Sequence, residues 1–314
     1  MTAWKCNRHS FWAQARLAGL MLASVLALAA CGASPSSAPQ APKDGTGEFV
    51  VTPVKRTIAE EDLAYYSPQM KAIYQRGKLR VALPVADRNP FFYTDAGGML
   101  TGSDVELAAD MAAQLGVDVE YVRSAKSFEE VVNQVASGQA DVAVSKLSAT
   151  LPRAGKVLFS EPYLTLHQGL LMNRLAMARL GPASVDPVQR LRQAKVKIGV
   201  IAGTSYVSFA HLLFPRTETV QFATPQEAMD AAIKGDVTAI YYDELQLKQL
   251  LANNPGRSID LQLHLLPDQV DPIAVAIPPQ EGPLLAWINL YLQSNQARID
   301  YLLAKYGVKA EHAR

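Results

Sequence analysis

Ser148, Thr150 and Arg153 fall within one short run, Ser148-Ala149-Thr150-Leu151-Pro152-Arg153. Hydroxyls donate single O–H bonds and a guanidinium presents a planar fork, so this grouping is a donor set for a carboxylate or another small anion. The run follows an apolar, strand-like stretch over residues 140–145. Pro152 suits a first helical turn, where its missing N–H is not needed. That places Arg153 just inside a helix N-terminus, whose free N–H groups favour an anion. A surface arginine in a strand–helix connection fits the same residues. A second set, Gly203-Thr204-Ser205, follows an apolar strand over 196–201. It reads as a glycine turn facing an anion, or as an ordinary N-cap from Thr204 or Ser205. Asp243 ends a strand over 237–242. A carboxylate there faces the crevice of an open α/β sheet, or caps the helix over 244–251. His167 and His211 stand outside any motif, and no nucleophile set or metal-spaced cluster occurs, so neither a metal nor a cofactor is expected.

Positioning these residues requires alternating strands and amphipathic helices. Strands are predicted over 79–84, 117–122 and 141–145, with helices over 103–115 and 127–136 between them. Phe128, Val131, Val132 and Val135 form the inward stripe of the second helix. A second such set covers 196–251, with a helix over 225–233, and the chain returns with a strand over 273–277 and one helix over 284–305. This alternation argues for an α/β protein with mostly parallel sheets and helices on both faces. A chain of 314 residues with 49% hydrophobic residues and 19% charged ones is long enough for two lobes with proper cores. A net charge of +1 gives no electrostatic case for nucleic acid.

Residues 1–30 stand apart. Lys5, Arg8 and Arg16 precede an apolar stretch over 17–30, which ends Leu28-Ala29-Ala30-Cys31. This is a lipoprotein signal peptide pattern, with Cys31 acylated after cleavage; an uncleaved anchor helix is the alternative. Cys6 leaves with the signal and Cys31 carries lipid, so no disulfide remains in the mature chain. Residues 31–48 read as a Pro/Ser/Gly tether, disordered on composition, and 49–77 as an N-terminal helical extension, with a helix over 57–76.

The run from Ser148 through Arg153 continues to Phe159-Ser160 and Pro162-Tyr163, and there it resembles the signature of the extracellular solute-binding proteins of the polar amino-acid type, family 3. Gly102-Ser103-Asp104-Val105 resembles that family's first-helix start, with Ser103 in place of an aromatic, and Lys305-Tyr306-Gly307 resembles its closing helix. The resemblance covers roughly residues 78–307. It implies a type II periplasmic-binding fold: two Rossmann-like lobes, residues 78–165 plus 271–310 and residues 174–262, joined by hinge crossings at 166–173 and 263–270. It further implies that Arg153, helped by Ser148 and Thr150, clamps a ligand carboxylate, that Thr204 and Ser205 hold it from the other lobe, and that Asp243 takes the ligand ammonium. Phe128 supplies aromatic wall.

Two positions depart from the family pattern. Arg88 replaces a stacking aromatic, and Lys146 replaces a residue that is often glycine. Directed inward, they join Arg153 in a cluster of three cations that favours an acidic ligand; directed outward, they are rim residues in solvent. The expected function is a lipid-anchored protein of the periplasm or cell envelope that captures an amino acid or carboxylate by hinge closure. It would act as a monomer and serve an ABC-type permease. The alternatives are a dehydratase of the cyclohexadienyl or arogenate type on the same fold, which would need a general acid in the pocket, or a sensing lipoprotein without a transporter.

Overall fold

The computed structural model describes residues 58–309, which lie within one compact unit, Thr52–Arg314. The expected signal segment, the lipidation site Cys31, the tether and the first residues of the extension lie outside the described residues. Among the described residues no helix is long and apolar enough to cross a membrane.

Two five-stranded sheets each carry their own hydrophobic core. In the first, strands run in the order Asp118–Ala125, Lys78–Pro84, Val142–Ala143, Ala276–Ile277, Leu158–Phe159. The first three are parallel and the last two join antiparallel. In the second, the order is Leu261–Ile273, Leu164–Asn173, Ala239–Asp243, Lys197–Ile201, Glu218–Phe222. Its last three strands are parallel; Leu164–Asn173 pairs antiparallel with Ala239–Asp243 on one side and with the edge strand Leu261–Ile273 on the other. The expected α/β class holds, with each sheet mixed: a parallel run of three strands extended by antiparallel neighbours.

The two longest strands, Leu164–Asn173 and Leu261–Ile273, carry the chain between the cores as a continuous ribbon. They pair from Leu261–Asn173 at one end to Ile273–Leu164 at the other, with one irregularity between Leu266 and Val270. Ile273 also bridges to Ser148, which ties the ribbon to the first lobe. The second core spans residues 170–266, whereas the first collects residues on both sides of it in sequence.

Local chemistry explains the elements that hold the site. Helix Ser103–Leu115 starts after Gly102, whose φ is 129°. A Cβ there would lie 2.2 Å from the Phe91 carbonyl oxygen, so only glycine allows this approach. Helix Phe128–Ala136 is capped by Ser127, which accepts from the Glu130 N–H, while the Glu130 carboxylate accepts from the Lys126 N–H at 2.6 Å.

Two expectations are corrected. The C-terminal helix is broken into Gly282–Ser294 and Gln296–Lys305 at Asn295, whose side chain donates back to the Tyr291 carbonyl at 2.8 Å. The predicted helix over 57–76 is interrupted before Pro68, which pushes Ser67 out of the α region; a 3-10 turn, Asp62–Tyr65, precedes helix Pro68–Arg76.

That second helix belongs to the first lobe. Met70 and Ile73 are buried in its core, and Arg76 pairs with the fully buried carboxylate of Asp141. Asp141 also holds Arg80 at 2.9 Å and accepts from the Arg80 N–H and the Gln69 amide. One buried carboxylate thus serves four donors from the extension and the first strand. We expect Asp141→Ala to lower stability by about 3 kcal/mol, because two guanidinium groups lose their partner. Urea denaturation checks this; an unchanged midpoint would make the cluster incidental.

Candidate functional site

The site is built on the turn between strand Val142–Ala143 and the helical turn Leu151–Ala154. Lys146, at φ 51°, sits in the left-handed region, where a non-glycine side chain costs roughly 1 kcal/mol or more. What holds it there is Asp104. This residue is fully buried at the start of helix Ser103–Leu115; it accepts from the Lys146 N–H, from the Tyr163 hydroxyl at 2.9 Å and from Ser103. Burial pushes the Asp104 carboxyl up to about 7, against those donors, which favour its charged form. Asp104 is therefore more than a helix-terminal acid. It fixes the turn that carries Lys146, Ser148 and Arg153.

Contacts from this turn cross to the second lobe. The Lys146 Nζ meets Asp243 Oδ2 at 2.7 Å, with both side chains buried. The Ser148 and Ser205 hydroxyl oxygens lie 2.7 Å apart. At the rim, the Gln246 amide donates to the Asn89 carbonyl at 2.8 Å. Between the lobes these contacts leave a cavity of about 10 Å³, room for roughly one water. Phe128, Lys146, Ser148 and Arg153 line it from the first lobe; Thr204, Ser205, Tyr206 and Tyr242 line it from the second. Arg153, Thr204 and Ser205 also face a neighbouring groove of about 650 Å³, whose walls include Leu151, Phe209 and Leu212.

Arg153 is 3% exposed. Its Nε donates to Glu129 at 2.9 Å and one Nη to the Ser148 carbonyl at 3.0 Å, while the guanidinium lies 6.0 Å from the centre of the Phe128 ring. Glu129 is exposed, so this pair is open to competition by a better-placed carboxylate. Asp243 takes the capping role and holds a cation of the protein itself. Its Oδ1 accepts from the Gln246 N–H and caps helix Glu244–Asn253, while its Oδ2 holds Lys146. Burial alone would lower the affinity of Lys146 for its proton; Asp243, Tyr242 and Asp271 raise it above the ordinary lysine value.

Other expected residues fall differently. Thr204 donates to the Ile201 carbonyl at 2.7 Å and Ser205 faces Ser148, so neither hydroxyl caps helix Tyr206–Leu213. Thr150 precedes the turn Leu151–Ala154 without a side-chain cap bond, and it lines the larger groove, outside the small cavity. The two readings left open for Arg88 and Lys146 divide between them. Arg88 donates to the Asp87 carbonyl at 2.8 Å and is not among the cavity's lining residues. Lys146 is inward but neutralised by Asp243, and Arg153 is engaged by Glu129.

Sequence reasoning missed Glu129, Tyr206, Tyr242 and Asp271. Asp271 is fully buried in the long ribbon strand and accepts from the Ser148 hydroxyl at 3.0 Å. Burial pushes its carboxyl up to about 6, with Lys146 and Ser148 opposing. Flanked by Val270 and Pro272, it reads in sequence as the solvent-facing position of its strand, so its burial carried no signal.

Known proteins share this architecture. A solved ancestral amino acid-binding protein, described as a precursor of cyclohexadienyl dehydratase, superposes with a TM-score of 0.62 at 26% identity, covering 76% of this chain and 99% of that one. The arginine-binding periplasmic protein of Mannheimia haemolytica is 26% identical over 170 residues, 53% of this chain and 64% of the relative. Membrane-bound lytic murein transglycosylase F of Saccharophagus degradans is 34% identical over 129 residues, 41% of this chain. The chain spans only 24% of the transglycosylase's length and just under two thirds of the arginine-binding protein's. Over residues 79–309 the chain matches the model of the bacterial extracellular solute-binding proteins, family 3, and it belongs to that family.

Proposed function

We propose that this chain captures a small carboxylate-bearing solute between its two lobes and serves as the binding component of an ABC-type uptake system. In this reading it is a monomer tethered to the membrane through a lipid on Cys31. The observation that carries it is the buried guanidinium of Arg153, which stands where the small cavity and the larger groove meet. Its exposed partner Glu129 is a weak competitor, since a half-solvated ion pair gains little over water. A ligand carboxylate held by Arg153, Ser148, Thr204 and Ser205 would bridge the lobes, with Phe128 as wall and Thr150 at the groove's edge. The ligand then stabilises closure only by its preference for the closed form.

A binding role is favoured over catalysis. The buried carboxylates near the cavity are already engaged: Asp104 under the turn, Asp243 on Lys146, Asp271 on Ser148. None is presented to a substrate as a general acid.

The test is a thermal-shift and calorimetric screen of small carboxylates against the purified protein. A ligand at 100 times its dissociation constant adds roughly 2.7 kcal/mol of stability. Arg153→Ala should weaken any hit by about 2–5 kcal/mol while the melting temperature without added ligand stays near the parent's. Equal affinity in the variant would remove Arg153 from the site.

Closure has its own test. With Ser148→Cys and Ser205→Cys combined, mild oxidation should join the two positions, and reduction should restore ligand binding to the locked protein. Peptide mapping without reductant reads the cross-link. Failure to form it under ligand-saturated conditions would mean that these faces do not meet in solution.

A further inference from the structure

We propose that Lys146 supplies from the protein itself the ammonium that Asp243 would otherwise take from a ligand, so that the site selects carboxylic acids lacking an α-ammonium group, such as 2-oxo acids. The proposal rests on the reading of this cleft as a carboxylate site and names the class of ligand it takes.

The first support is the inventory of the cavity wall. Its eight lining side chains comprise two cations, five hydroxyls and one phenyl ring, with no carboxylate. An α-amino acid placed with its carboxylate on Arg153 would bring its ammonium beside Lys146, with only neutral hydroxyl oxygens on this wall to accept from it. Asp271 does not line this cavity, and Glu129 lines only the neighbouring groove, where it pairs with Arg153. Asp243, the carboxylate next to it, has one oxygen on the Gln246 N–H at 2.9 Å and the other on Lys146 at 2.7 Å.

The second support is that Lys146 is fixed in place. Its N–H is held by Asp104, its backbone is in the left-handed region, and its Nζ lies 5.5 Å from the centre of the Phe91 ring and 5.1 Å from that of Tyr242. Only 5% of its side chain is exposed, so it has no solvent path by which to make room in the closed form. A ligand ammonium brought to Asp243 would therefore lie beside a second buried cation, where like charges repel strongly. The same lysine repels an amino acid and attracts its deaminated counterpart. An ammonium has three N–H donors, and Asp243 takes one. The others suit a 2-oxo or 2-hydroxyl oxygen.

The experiment is calorimetry on the full chain with probes paired at carbon 2: pyruvate with alanine, 2-oxoglutarate with glutamate, 4-methyl-2-oxopentanoate with leucine, and phenylpyruvate with phenylalanine. At least one oxo acid should bind, about tenfold or more tighter than its amino partner. In Lys146→Met, which keeps length and removes charge, the pair should come to parity or reverse. Tighter binding of the amino acid by the parent, an unchanged ratio in Lys146→Met, or no binding by any probe overturns the proposal. Should Lys146→Met fail to fold, Asp243→Asn decides: a similar loss for both members of a pair supports the proposal, and a loss confined to the amino acid overturns it. Arg153→Ala separates the two readings. If it leaves oxo-acid binding intact, the carboxylate-clamp reading fails; if it abolishes binding while amino acids remain preferred in the parent, only the present inference fails.

Discussion

The whole site hangs from one buried carboxylate. Asp104 has no contact with the cavity, yet it holds the Lys146 N–H from beneath and is itself held by Tyr163. A carboxylate that is fully desolvated stays bound to its donors because any other arrangement leaves an unpaired charge or a dry donor. Three separate elements meet there: the start of helix Ser103–Leu115, the turn at Lys146, and Tyr163 at the entrance to the ribbon. Gly102 makes the meeting possible by letting the helix start pass under the Phe91 carbonyl. The strained backbone at Lys146 persists because these surroundings over-determine it.

From that anchor the electrostatics of the cleft form a series of local pairs rather than a field. Arg153 goes to Glu129, Lys146 to Asp243, and Ser148 to both Asp271 and Ser205. Two of these pairings span the lobes and two stay within the lobe or its ribbon. The cross-lobe ion pair is the consequential one. A ligand ammonium bridging the lobes would contribute to closure only when bound, whereas Lys146 is always present. On the proposed reading, closure is accordingly less dependent on the ligand than a design in which the ligand provides every bridge.

Much of the fold was legible because it rests on periodicity and punctuation. Phe128, Val131, Val132 and Val135 announce their helix, and Ser127 and Glu130 announce its start. The limits of helix Ser103–Leu115 follow from its flanking glycines. The break at Asn295 was not legible, since apolar spacing continues across it while the Asn295 backbone leaves the helical region and its side chain bonds the Tyr291 carbonyl. In the site, Arg153, Ser148 and Asp243 could be nominated from type and spacing, and the structure brings Ser148 and Arg153 to one cavity. The direction of Lys146 could not be read, because it depends on a left-handed turn fixed by a residue far away in sequence. Nor could the partner of Arg153, because Glu129 reads as an ordinary first-turn acid of its helix.

The threading of the first sheet has a consequence for biosynthesis. Strand Ala276–Ile277 lies between Val142–Ala143 and Leu158–Phe159, and the helices Gly282–Ser294 and Gln296–Lys305 complete the same core. A chain made from its N-terminus must therefore keep two apolar strand edges unpaired until Ala276–Ile277 emerges. The second lobe, continuous in sequence, closes well before that. The nascent chain thus passes through a stage with one finished lobe and one whose middle is missing, exposing surface that invites aggregation. The late-made segment acts as a keystone, and full burial of the first lobe is deferred until residues 276–305 have been made.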